Sequence, residues 1–206
     1  MEFAQTLSAV LSAETTADTL HNKIQEKIHE KHPRKISILL TRFPDNGSRA
    51  VSMLTRFYYT HASIGLDEDM NTFYSFVTKG FLVEKVTRYI RPDWDPIPCM
   101  LYEIPVSEEH YQRIKEILNS FVEKKKTLQY HKVGFAFALF NIPFKRKNRY
   151  FCSQFVADVL RQSHTIFMHK DSTLIFPKDL HRLPQNRLVF QGTLPDFAES
   201  YGLFQN

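Results

Sequence analysis

The chain has two cysteines, and their settings differ. Cys152 lies in "NRYFCSQFVADVLRQ", Asn148 to Gln162, just after a basic, aromatic run. In 152–162 the apolar residues Phe155, Val156, Val159 and Leu160 recur at helical spacing, and Cys152 stands three and four positions before the first two. That spacing places the thiol on the buried face of an amphipathic helix, in its first turn. Backbone N–H groups at a helix start have no partner within the helix, and they favour a thiolate or an oxyanion formed by its attack. A helix terminus contributes only about 0.3–1 kcal/mol, under one pKa unit, so a reactive thiolate also needs a basic partner. Without one, Cys152 reads as a core cysteine. Cys99, between Pro98 and Met100 in an apolar run, reads as structural.

Nine histidines are available as that partner. His61 stands out by position. In "YYTHASIGL", 58–66, Thr60, Ala62, Ile64 and Leu66 alternate with Tyr59, His61, Ser63 and Gly65, the pattern of a half-buried strand. "DEDMN" then reads as a turn and "TFYSFV", 72–77, as a second strand, giving a hairpin. If Leu66 opposes Thr72, His61 and Ser75 point to the same face, and Ser75 can orient the imidazole. Tyr59, two residues before His61, is a candidate hydrogen-bond donor near the substrate. Glu84 and Asp67 are acids that could replace Ser75, neither well placed by spacing.

These residues need a scaffold. "KISILLT", 35–41, reads as a buried strand. "FPDNGS" reads as a turn, followed by a helix capped by Ser48. "IPCMLYEIPV", 97–106, is a strand, and "SEEHYQRIKEILNSFVEKKK", 107–126, a helix with Ser107 as cap and acids in its first turn. "VGFAFALF" is a short apolar helix or strand, and "RLVFQG" a last strand. Residues 3–31 read as helical, ending at Pro33.

The segments "YYTHASIGLDEDMNTFYSFV" and "RYFCSQFVADVL", in that order, resemble the YiiX-like, circularly permuted relatives of the NlpC-type papain-like cysteine peptidases. The resemblance runs from about Lys35 to about Leu194 and includes the join "YEIPVSEEHYQRI". It implies an α+β papain-like fold, an antiparallel sheet packed with helices, in a domain over 35–206 preceded by an N-terminal helical extension over 1–34. It also implies Cys152 as nucleophile, His61 as general base and a polar third residue on the next strand, which Ser75 matches. Serine departs from the acidic, histidine or amide residue often found there, since it cannot offset an imidazolium charge as a carboxylate would. The implied function is a cysteine hydrolase acting on a peptide-like amide. Two rivals stand beside it: an acyltransferase or thioesterase on lipid-linked acyl groups, and a non-catalytic binding module.

Composition sets the outer limits. The chain has 206 residues, 43% of them hydrophobic and 24% charged, enough for one sizeable core. Eighteen phenylalanines predict an aromatic interior. A net charge of +5 favours neither nucleic acid nor membrane as a partner, and the expected partner is a peptide-like or acyl small molecule. No run approaches the roughly 18 apolar residues of a membrane span. The N-terminus lacks a basic leader, and the cysteines form no disulfide framework, so the expected compartment is the cytoplasm. No cofactor or metal is expected: His29 and His32 share a helix face, but nothing completes a site, and they read with His21 as a solvated helix end. "FKRKNRY", 144–150, puts four cations just before Cys152. It reads either as a solvated loop or as a recruiting surface for an anionic substrate.

Overall fold

The computed structural model describes residues 34–183 and 186–204. The extension expected over 1–34, with its three histidines, therefore lies outside the described residues except for Arg34, which already belongs to the first strand. The chain runs β1 (Arg34–Thr41), α1 (Asn46–Thr55), β2 (His61–Leu66), β3 (Thr72–Val77), β4 (Gly80–Lys85), β5 (Pro98–Val106), α2 (Glu108–Glu123), β6 (Gln129–Tyr130), α3 (Lys132–Leu139), β7 (Arg149–Tyr150), α4 (Cys152–Gln162), α5 (Pro177–His181), β8 (Arg187–Thr193) and α6 (Leu194–Ser200). This is a mixed, α+β arrangement, as expected.

Six strands form one sheet in the order β4-β3-β2-β1-β5-β8, each neighbouring pair antiparallel. β1 lies inside the sheet with both faces buried, Ser37 and Thr41 included. Ile36, Ile38 and Leu40 face one side and Leu39 the other, all buried. On the first side they join Ala62, Ile64, Tyr102 and Ile104 in the main core, with Phe155, Val156 and Val159 of α4 and Tyr111, Ile114 and Leu118 of α2. On the other side Leu39, Phe73, Cys99 and Leu101 pack against Leu194 and Phe197 of α6.

The aromatic residues concentrate around α4. Phe121 and Phe155 meet edge to face with centroids 4.9 Å apart, and Phe76 and Phe81 pack against both. Such pairs add about 0.5–1.5 kcal/mol each beyond area burial. α4 is more deeply set than its amphipathic pattern predicts, with Cys152 through Leu160 all buried. Two of its buried polar side chains have partners: Ser153 donates to the Ile175 carbonyl at 2.7 Å, and Asp158 pairs with Lys145 at 3.2 Å.

Three local expectations change. The turn at 43–48 is shorter than expected, because Asp45 and not Ser48 caps α1: its Oδ1 accepts the Ser48 N–H at 2.9 Å, and the helix begins at Asn46. β2 begins at His61 rather than at 58, so 58–60 do not continue its alternation. β4 was not expected at all. It follows β3 across Thr78–Lys79 and pairs with it from Val77↔Gly80 to Thr72↔Lys85. Gly80 makes the turn possible, with φ +109°, and a Cβ there would come within 2.6 Å of the Leu128 carbonyl oxygen.

Candidate active site

Cys152 is the first residue of α4 and His61 the first residue of β2. Ala62 and Ile64 face the α4 core, so along a regular strand His61 turns away from that helix. The two side chains meet because each is the first residue of its element, so both stand at the same edge of the helix–sheet packing. The Ala62 N–H is directed at the sulfur, the His61 ring lies against it, and both residues line one cleft of about 480 Å³.

The imidazole is held from behind. His61 Nε2 is 2.8 Å from Glu84 Oε1, in a pair almost wholly removed from water. With Nε2 engaged, Nδ1 is the ring nitrogen left for the sulfur. The Phe43 ring closes over the imidazole edge-on, with centroids 5.5 Å apart. Glu84 reaches this position from β4, where it pairs with Phe73.

Ser75 is in the register expected for it: Ile64↔Tyr74 and Gly65↔Phe73 continue to a Leu66–Thr72 pairing. It nevertheless does not orient His61. Its buried hydroxyl donates to the Ala62 carbonyl at 2.6 Å, so the orienting position expected for Ser75 is filled by Glu84. Ser75 instead fixes the peptide whose neighbouring N–H faces the sulfur. Tyr59, expected near the substrate, lies outside the cleft and packs in the main core beside Phe57 and Tyr58. The reason is the late start of β2, which removes the face shared with His61. Asp67 pairs instead with Arg34 at 3.0 Å.

Electrostatics bind Cys152 and His61 into one unit. Burial opposes charging the His61 ring. The Glu84 charge and the hydrogen bonds and charge around Cys152 outweigh it and push the ring up, to about 10. Burial likewise opposes a Cys152 thiolate, but His61, by hydrogen bonding and charge, and the N–H groups of Ala62 and Ser153 hold the thiol below its ordinary value. The arrangement favours a thiolate–imidazolium pair. Cys99 is the contrast: fully buried, with its thiol pushed up to about 12 by burial and by the Asp196 charge.

Cys152 should therefore react with iodoacetamide at neutral pH at least about a hundredfold faster than Cys99, because only thiolate attacks and only Cys152 opens to a cleft. Peptide mapping after brief alkylation reads both sites at once, and equal labelling would leave Cys152 an ordinary core cysteine. In His61→Ala most of the difference should vanish, since the helix start alone supplies less than one pKa unit.

Tyr130 was not anticipated from the sequence. It sits on the two-residue strand β6, lines the cleft, and has its hydroxyl pushed far up by burial and by the Cys152 charge. No periodic signal marks so short a strand. Glu84 left no alternating signal either, since "GFLVEK", 80–85, runs three apolar residues together from Phe81 to Val83.

No family model matches the chain, and no curated protein matches it. Among solved structures it is similar to YiiX from Escherichia coli O157:H7, a DUF1105 protein, with a TM-score of 0.54, 14% identity, and coverage of 78% of this chain and 98% of that one. The chain has the YiiX fold. YiiX is described as a metalloprotein. Among the described residues of this chain no three His, Cys, Asp or Glu side chains converge to hold a metal ion. Cys152, His61 and Glu84 stand in series, sulfur to ring to carboxylate, which suits proton transfer and not chelation. Among the described residues no helix is long and apolar enough to cross a membrane.

Proposed function

We propose that the protein is a cysteine hydrolase that cleaves an amide bond of a peptide-like small molecule through an acyl-enzyme. The series Cys152–His61–Glu84 at the cleft wall carries this reading. The Cys152 thiolate attacks the substrate carbonyl, and negative charge moves to the carbonyl oxygen. The Cys152 backbone N–H, without a partner within the first turn, meets that charge, and the Tyr130 hydroxyl stands on the same cleft wall. The His61 imidazolium gives its proton to the leaving amine as the carbon–nitrogen bond breaks. His61, now neutral, takes a proton from water as the water attacks the thioester, and the thiolate departs. Glu84 keeps the ring oriented and offsets its charge, the part that a serine fills poorly. A carboxylate in that place removes the main support for a non-catalytic binding module.

The apolar share of the cleft wall, with Phe43, Val51, Phe76 and Phe135, favours a second reading, in which the acyl group is a hydrocarbon chain handed to another acceptor. Incubation with cell extract followed by mass spectrometry should show an acyl adduct on Cys152. A peptidyl mass would fit the amidase and a fatty-acyl mass the transferase. Absence of any adduct in wild type and in slowed variants alike would sink both.

A further inference from the structure

A second cavity, of about 360 Å³, shares Thr78, Tyr130 and Lys132 with the wall of the catalytic cleft. Its other walls bring Lys79 from the β3–β4 turn together with Arg146 and Arg149 from the basic run before α4. No acidic side chain lines it. None of these four cations forms an ion pair with a carboxylate of the described residues, whereas Lys145, in the same run, is neutralised by Asp158.

His131, also in the wall, is only 1% exposed, and neither of its ring nitrogens has a hydrogen-bond partner among the described residues. The Nε2 of the neighbouring Gln154 amide is likewise without an acceptor. Buried polar atoms left unpaired are rare and costly. Burial, with the charges of Arg149 and Arg146, holds the ring below its ordinary value. The wall thus gathers four cations, with no carboxylate among its lining residues, beside a buried imidazole that has no partner among the described residues.

We propose that this pocket binds a phosphate-class oxyanion carried by the substrate, beside the carbonyl that Cys152 attacks. Two arginine forks match the oxygens of phosphate in pairs, and the two lysines add point charges. A volume of about 360 Å³ suits one head group rather than an extended polyanion. The inference rests on the hydrolase reading for its role, but binding can be measured without turnover.

The test is calorimetric titration of the full chain with inorganic phosphate, in wild type and in Cys152→Ala. Both should bind it with equal affinity. Arg146→Gln/Arg149→Gln should weaken binding about tenfold or more, the loss of one or two charge-assisted hydrogen bonds. Lys79→Gln, on an exposed turn where misfolding is no concern, should weaken it in the same direction. Lys125→Gln/Lys126→Gln, exposed cations outside the pocket, should leave it unchanged. Glycerol 3-phosphate and phosphatidic acid vesicles, each competing against inorganic phosphate, separate a soluble phosphate ester from a lipid head group, and competition by either supports the pocket. No binding to the intact chain, equal weakening by the distant lysine pair, or competition by neither ligand would overturn it. Loss of turnover in Cys152→Ala with phosphate binding intact separates this inference from the hydrolase reading.

Discussion

Cys152→Ala should abolish turnover, by about five to six orders of magnitude where a residual rate is measurable, because Cys152 is the nucleophile that His61 activates. The fold should survive. The substitution removes one buried sulfur and leaves a small space at the first residue of α4, while Phe155, Val156 and Val159 keep the helix in the core. A cost near 1 kcal/mol corresponds to a fall in melting temperature of about 2–4 °C for a chain of this size. His61→Ala should lose turnover to a similar extent, since a buried thiol without its partner returns to the protonated form. The measurements are steady-state turnover and thermal denaturation of the same preparations. Retained activity in Cys152→Ala would remove the mechanism outright.

Glu84→Gln should cut turnover about 10²–10⁴-fold with little change in the fold, the range expected when a buried carboxylate that orients a catalytic histidine is neutralised. The pH dependence gives a sharper reading. Glu84 raises His61 against the opposing effect of burial, so the glutamine variant should lose its imidazolium at lower pH than wild type. A neutral ring no longer supports the thiolate, so Cys152 should need higher pH to ionise. The alkaline limb of the profile therefore moves down and the acid limb moves up, and the active window narrows from both sides. Ser75→Ala is the control. It deletes a fully buried hydrogen bond to the Ala62 carbonyl, worth about 1 kcal/mol. It should lower the melting temperature, leave both limbs where they are and change turnover only several-fold. A profile shift in Ser75→Ala matching that of Glu84→Gln would reverse the two assignments.

The sequence by itself determined the elements that carry the chemistry. The spacing of Phe155, Val156, Val159 and Leu160 put a helix at 152–162 with Cys152 at its head, and the helix has those bounds. Alternation around Ala62 and Ile64 marked β2 and its hairpin, and parity gave the register, because a period of two leaves only one face for the core. Ser107 caps α2 as its capping pattern requires, accepting the His110 N–H at 3.2 Å. The YiiX-like resemblance agrees with the fold found. Tertiary structure alone decided which groups meet. Parity turns His61 away from α4, and only the meeting of the first residues of β2 and α4 in the folded chain brings ring and sulfur together. Glu84 is 23 residues from His61 in sequence and reaches it from a strand two places along the sheet. Spacing arguments reach one turn of helix or one cross-strand neighbour, so Ser75 was the acceptable choice from sequence and Glu84 was not. Tyr59 fell to the same limit, since alternation in sequence does not say where hydrogen bonding to the neighbouring strand begins. The pocket of Lys79, Lys132, Arg146 and Arg149 gathers three separate segments, and the electrostatic cost of holding like charges together is visible only once the fold has brought them there.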